Sequence, residues 1–300
     1  MRRLLIDGDE LVWRVAVTAR DAAALKGALR RRIEALLSAL RADHAWFALS
    51  DRGNWRKTLW PGYKAHRSAR PRPPLLLACR EALHEDWATR AAPGLEADDL
   101  LGLAATRAPS FALSDRSGCG AKPVGEPETE RRISEPRMAQ ALRAERFGAA
   151  PGVCASAQGR AAEEGLTEKS LAENNVAEER VIVSRDKDLL TVPGLHGSPS
   201  GALRRVSADD AATAHLAQCL SGDAADGYPG CPGIGPKRAR RILDAAPPFA
   251  EARWRAVVEV YATAGKDEAD ALLQARLARV LRAGEIDAEG RPILWRPFEP

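Results

Sequence analysis

Apolar and polar positions along this 300-residue chain follow two periods. A short apolar run, Leu4-Leu5-Ile6, ends in Asp7 and predicts a strand. From Asp21 to Arg41, Leu25, Leu29, Ile33, Leu36, Leu37 and Leu40 recur at three- and four-residue spacing, which predicts a helix. Ala45-Trp46-Phe47-Ala48-Leu49-Ser50 predicts a second strand and again ends in an acid, Asp51. The stretch from Asn54 to Arg72 mixes aromatic and basic residues and stops at Pro71-Arg72-Pro73-Pro74, a helix breaker. Helices are expected from about Leu75 to Arg90 and from Glu96 to Thr106. Val181-Ile182-Val183-Ser184 predicts a third strand, leading into Arg185-Asp186-Lys187-Asp188. From Ser207 onward the pattern is helical. A glycine-rich turn at 230–235 interrupts it, followed by a basic helix from Pro236 to about Ala245.

Between about residues 107 and 180 Gly, Pro, Ser and Glu interrupt every period, so an irregular insertion is expected there. Within it Arg137–Phe147 has the pattern of a short helix, and Phe111–Arg116 repeats the six residues Phe47–Arg52. Strands that alternate with helices, each strand closing on a carboxylate, point to an α/β fold with a mostly parallel sheet. Ligands bind such sheets beyond the carboxyl ends of the strands. The expected organisation is an α/β domain over 1–206, carrying the insertion, and a helical region over 207–300.

Composition narrows the classes. Apolar residues make up 45% and charged residues 29%, ordinary globular usage that excludes a fibrous or wholly disordered chain. No run approaches the roughly 18 apolar residues of a membrane span. The N-terminus meets Asp7 too early for a signal peptide, so a cytoplasmic location is expected. The five cysteines form no C-x-x-C pair, which argues against a zinc cluster or a disulfide framework. A net charge of +4 says little by itself, but residues 1–75 carry 16 basic against 7 acidic side chains, a net of +9.

The candidate chemistry begins with acids. Asp7, Asp51, Asp186 and Asp188 stand at strand ends; Glu96, Asp98 and Asp99 open a helix; Asp223 and Asp226 precede the glycine-rich turn. Any one of them suits a turn or a helix dipole. Nine such carboxylates in one loop cluster would repel strongly and raise each other's pKa. A bound cation removes that conflict, and oxygen ligands without Cys or His suit Mg²⁺ or Mn²⁺. A site of this size can hold two ions, the arrangement that hydrolyses phosphodiesters.

Cations complete the picture. Arg56, Lys57, Lys64, Arg67, Arg70 and Arg72 interleave with Trp55, Trp60, Tyr63 and His66, a mixture suited to phosphates and unpaired bases. In Gly230–Lys237, Gly233 and Gly235 permit close backbone approach, and Pro236 can open a helix whose amides face a phosphate. Lys237, Arg238, Arg240 and Arg241 add charge. This is the helix–hairpin–helix pattern, which grips duplex backbone without reading sequence.

Taken in order, Ile6-Asp7-Gly8, Ser50-Asp51, Tyr63-Lys64-Ala65-His66-Arg67, Glu96-Ala97-Asp98-Asp99, Ser184-Arg185-Asp186-Lys187-Asp188 and Gly222–Lys237 resemble the 5′→3′ exonuclease and flap endonuclease superfamily. That family includes the 5′-nuclease domain of bacterial DNA polymerase I. The stretch from Asp226 to Gly233 is most similar to the stand-alone bacteriophage branch. The resemblance covers residues 1–106 and 181–245. It implies a PIN-like (resolvase-like) α/β fold followed by a helix–three-turn–helix clamp. It implies one metal near Asp7, Asp51, Glu96 and Asp98, and another near Asp99, Asp186, Asp188, Asp223 and Asp226. Lys64 and Arg67 would contact the scissile phosphate as catalytic residues, and Tyr63 would stack on substrate. K⁺ beside the hairpin is a further implication. Arg56, His66, Gly233, Gly235, Lys237, Arg238 and Arg241 complete the expected DNA contacts. The function expected is 5′→3′ exonuclease or 5′-flap endonuclease action by a monomer on DNA ends, flaps or nicked duplex, in a bacterial cell or a phage-infected host. The alternatives are a non-catalytic DNA-binding protein on the same fold and a PIN-type ribonuclease. The family usually passes quickly from Glu-x-Asp-Asp to Ser-x-Asp-x-Asp, whereas here the insertion intervenes.

Overall fold

The computed structural model describes residues 1–69, 71–107 and 178–297, all within one compact unit. The possible helix at Arg137–Phe147 and the repeat at Phe111–Arg116 lie outside the described residues. A six-stranded sheet in the order β3-β2-β1-β4-β5-β6 forms the centre. Strand β1 (Arg2–Asp7) is flanked by β2 (His44–Ala48) and β4 (Glu179–Val183), both parallel to it. Leu4, Leu5 and Ile6 are almost wholly buried because helices cover both faces of the strand. The outer strand β3 (Thr89–Arg90) and β5 (Gly194–Gly197) continue the parallel sheet, and β6 (Leu203–Val206) closes it antiparallel.

The parallel α/β reading therefore matches the structure. Helix α1 (Gly8–Thr18) was not legible beforehand, because it follows β1 with no breaker between them. Asp7 caps it, accepting the Glu10 amide at 3.0 Å. Helix α2 (Ala22–Leu40) buries Leu25, Leu29, Ile33, Leu36 and Leu40, its predicted stripe, and a single-turn α3 (Arg56–Leu59) follows β2. One core lies between α1, α2, α4 (Leu76–Asp86) and one face of the sheet. A second, on the other face, joins α5 (Ala97–Thr106) to Val280 and Leu281.

The chain after Ser207 is helical: α6 (Ala208–Ser221), α7 (Pro236–Ala245), α8 (Ala250–Thr263) and α9 (Glu268–Ala278). Ser207 is the N-cap of α6, and its side chain accepts the Asp210 amide at 3.0 Å. The two chain ends that border residues 108–177 meet at Arg180. Its guanidinium donates to the carbonyls of Ala104 and Arg107 at 2.9 and 3.1 Å, while its Nε pairs with Glu178. Among the described residues, no helix is long and apolar enough to cross a membrane.

Candidate active site

The parallel strands set the site by ending together. Asp7 leaves β1 and Asp186 follows β4 by three residues; β2 is followed by Ser50-Asp51. Helix α5 starts at the same edge, where Ser50 Oγ accepts the Ala97 amide at 2.9 Å and fixes its first turn. Ser184 does similar work on the other side: its hydroxyl donates to Asp7 at 3.3 Å and accepts the Asp186 amide at 3.0 Å. Both serines were visible in the sequence as neighbours of the acids, although nothing there gave their partners.

Asp7, Asp98 and Asp186 come together. Burial, then repulsion from Asp9, Glu10 and Asp186, lifts the Asp7 carboxyl to about 7. Burial, then repulsion from Asp7, Asp186 and Glu96, holds Asp98 well above the ordinary carboxylate range. A second concentration lies around Asp188, raised to about 7 by burial and by Asp186, Asp226 and Asp223. The neighbouring acids have internal partners. Lys64 Nζ lies 2.5 Å from Glu96 and 3.4 Å from Asp226. Arg67 reaches Asp226 at 2.7 Å, and Lys187 pairs with Asp223 at 2.7 Å. Burial works to raise Glu96, but Arg56 and Lys64 beside it prevail and hold it below the usual range. The same contest favours Lys187 at Asp223.

Asp51 sits apart from this network. It is exposed and accepts the amides of Gly94 and Gly53 at 2.9 and 3.2 Å, bonds that lower its pKa. It lines an open cleft of about 420 Å³ with Glu96, Tyr63, Lys64 and Arg67. Lys64 holds a left-handed backbone, φ 52°, and its amide donates to the Asp226 carbonyl at 2.7 Å. A non-glycine residue in this region is held there by its surroundings. Here the holding group is the acid-bearing turn before the glycine-rich loop.

Three expectations need correction. Asp99 is fully buried and belongs to no metal set as it stands. Its oxygens take Arg56 at 2.7 and 2.9 Å, Trp55 Nε1 at 3.1 Å and the Leu281 amide at 3.3 Å. Arg56 is 2% exposed, so it is shut away from DNA; it also donates to the Leu277 and Arg279 carbonyls at the end of α9. Tyr63 is likewise 2% exposed, its ring stacked on Tyr228 and its hydroxyl donating to Asp226 and Glu96. A buried ring has no face for a base. The sequence could not separate these residues from their exposed neighbours, because burial of a charge depends on partners distant along the chain.

The chain matches no protein-family model. Two curated phage proteins do match. The exodeoxyribonuclease of Enterobacteria phage T3 is 24% identical over 282 residues, spanning 83% of this chain and 72% of the relative. The exonuclease of Escherichia phage T7 is 24% identical, over 83% and 73% respectively. Among solved structures, the T5 D15 protein co-crystallised with metal ions aligns with a TM-score of 0.55 at 14% identity, covering 93% of this chain and 89% of that one. The bacteriophage T5 D15 flap endonuclease, in a pseudo-enzyme-product complex with DNA and metal ions, gives 0.54 over the same shares. The chain is thus similar in sequence to phage exonucleases and shares the fold of the T5 proteins.

At this site the donor chemistry suits a divalent cation: carboxylate oxygens, buried and repelling one another. Among the described residues, no three acidic, histidine or cysteine side chains close on a single point as they stand. The reason is visible in the ion pairs. Glu96, Asp223 and Asp226 turn towards Lys64, Lys187 and Arg67, and each would have to turn back to serve as a ligand.

Proposed function

We propose that this protein is a metal-dependent 5′→3′ nuclease that cuts DNA at 5′ ends or flaps and leaves 5′-phosphorylated products. The observation that carries this reading is the contact of Lys64 and Arg67 with Glu96 and Asp226, beside the self-repelling Asp7, Asp98 and Asp186. Cations that neutralise acids in the free protein are placed to transfer to a phosphate. Two divalent ions, Mg²⁺ or Mn²⁺, held by Asp7, Asp51, Glu96, Asp98, Asp186, Asp188, Asp223 and Asp226, would supply charge stabilisation and an activated water. Lys64 and Arg67 would then stabilise the negative charge that develops on the phosphate.

The clamp reading has its own support. Gly233 and Gly235 border open space, where even an added Cβ would meet nothing, so a phosphate can reach the backbone. Pro236 occupies the first turn of α7, and Lys237, Arg238 and Arg241 on that helix are exposed. This is how a helix N-terminus holds the backbone of duplex DNA. A K⁺ ion at this hairpin and a monomeric enzyme belong to the same reading. His66 is exposed beside Arg67 and completes the DNA-facing set.

The test is a cleavage assay on a 5′-flap duplex and a blunt duplex, with product lengths and end groups resolved. Metal-dependent 5′ cleavage supports the proposal. Failure in both Mg²⁺ and Mn²⁺ would favour a DNA-binding scaffold, and preference for a matched RNA would favour a ribonuclease.

A further inference from the structure

The cleft that holds Lys64 and Arg67 lies by the start of α5, which covers one face of the sheet; a second basic recess lies by α1 and α2, which cover the other. It is a narrow recess of about 40 Å³, and Asp7 forms part of its wall. Arg14 of α1, Arg32 of α2 and Arg185 beyond β4 supply its charge. Three separate elements thus bring guanidinium groups to one recess. Ile6, Leu11 and Val183 give it an apolar floor. The β5–β6 turn forms another wall through Pro199. That turn seats against the end of α2 because Gly201, at φ 90°, has no Cβ; one would stand 2.8 Å from the Ala39 carbonyl.

The opposing charge does not balance. Glu10 takes Arg14 at 3.1 Å and lies 3.7 Å from Arg185, whose amide it also accepts at 3.0 Å. One carboxylate therefore serves two arginines. No ion pair to Arg32 is seen among the described residues, and Arg32 is exposed. Asp7 is the other acid at the wall, and it belongs to the cluster described above. Arginines at the mouth of a narrow recess suit the phosphate of a phosphodiester, because the guanidinium fork matches phosphate oxygens.

We propose that Arg14, Arg32 and Arg185 form a second phosphate subsite, which holds the backbone of the nucleic-acid substrate on the far side of Asp7 from Lys64 and Arg67. This rests on the nuclease reading and adds a direction to it: the strand crosses the carboxylates from one basic cleft to the other. The subsite grips backbone and reads no sequence. Arg32 and Arg185 act in binding, so their loss raises Kd and leaves the other contacts to position the bond.

The experiment is equilibrium binding of a fluorescent 5′-flap duplex in chelator, where hydrolysis is off, at several salt concentrations. Arg32→Ala and Arg185→Ala should each weaken binding about 3- to 10-fold near 0.1 M salt. Each should also reduce the slope of log affinity against log salt by about one. Arg32→Lys should restore most of the affinity, since it keeps the charge. Arg30→Ala, an exposed change on the same helix outside the recess, should stay within about twofold of the parent. Inorganic phosphate at millimolar concentration should compete only weakly if the ligand is a polynucleotide backbone. Strong competition would reassign the recess to free phosphate. Parent-like binding by both alanine variants, or an equal loss in Arg30→Ala, would overturn the subsite while leaving the nuclease intact. A parent that neither binds nor cuts flap DNA would remove the nuclease reading, and the subsite with it.

Discussion

Four side chains carry the residue-scale predictions. Asp186→Ala is expected to abolish cleavage in Mg²⁺ while flap binding persists; full activity would remove Asp186 from the metal set. Lys64→Ala should slow a single-turnover reaction by at least tenfold, as loss of one charge-stabilising donor does, and an unchanged rate would remove Lys64 from the site. Arg56 has a different task. It ties Asp99 and Glu96, at the start of α5, to the end of α9. Arg56→Ala leaves Asp99 charged and unpaired in the interior, which should cost about 3–5 kcal/mol in chemical denaturation. His215 gives the pH dependence. Burial, with Arg279 adding repulsion, lowers it to about 3, and its Nε2 donates to the Ala275 carbonyl at 2.8 Å. The unfolded chain protonates this ring near pH 6.5, the folded protein only near 3. The stability it contributes is therefore complete above pH 6.5 and lost as pH falls towards 3. From neutral pH to pH 5 that loss is about 2 kcal/mol. His215→Gln should flatten this part of the stability curve, measured as denaturation midpoints at pH 7 and 5.

At the scale of elements, segments with a clear apolar or basic pattern were legible and those without one were not. The leucine stripe of α2 and the basic run of α7 announce themselves, and both helices stand within a residue or two of their predicted limits. Helix α1 carries Val12, Val15 and Val17, β-branched residues that dilute a helical pattern, and it gains its stability from packing on α4. Strands β5 and β6 have four residues each, with glycine, histidine and arginine where alternation would be sought. The approach of Asp7, Asp98 and Asp186 was legible because Asp7 and Asp186 follow strands and Asp98 stands in the first turn of a helix. The roles of Asp99, Arg56 and Tyr63 were not, because ion pairs across more than 40 positions leave no local pattern. Helix α5 illustrates how closely these elements fit. An added Cβ on Gly102 would lie 2.3 Å from the Leu281 carbonyl and 2.9 Å from Val280. Gly102→Ala should therefore destabilise by about 1–3 kcal/mol, detectable as a lowered Tm, and since α5 bears Glu96 and Asp98, metal affinity should weaken with it.

For the whole molecule, a near-neutral total conceals a polar division of charge. With the nine expected acids set aside, the remainder of the chain has a net charge of +13. The exposed cations on α7 and around the cleft are part of that excess. DNA affinity should accordingly fall steeply with salt, measurable as a linear loss of log affinity with log salt.

The meeting of both chain ends at Arg180 has a practical consequence. Ala104, Arg107 and Glu178 all touch that one guanidinium, which holds the two flanking chain segments side by side. Loop length changes closure entropy only slowly. The position thus serves as a port in the scaffold, at which foreign sequence can enter or leave. Replacing residues 110–175 with a short Gly-Ser linker should yield a chain that folds cooperatively and still cuts DNA. The same port would accept a fluorescent or affinity module, tethered at the edge of the sheet opposite the carboxylates.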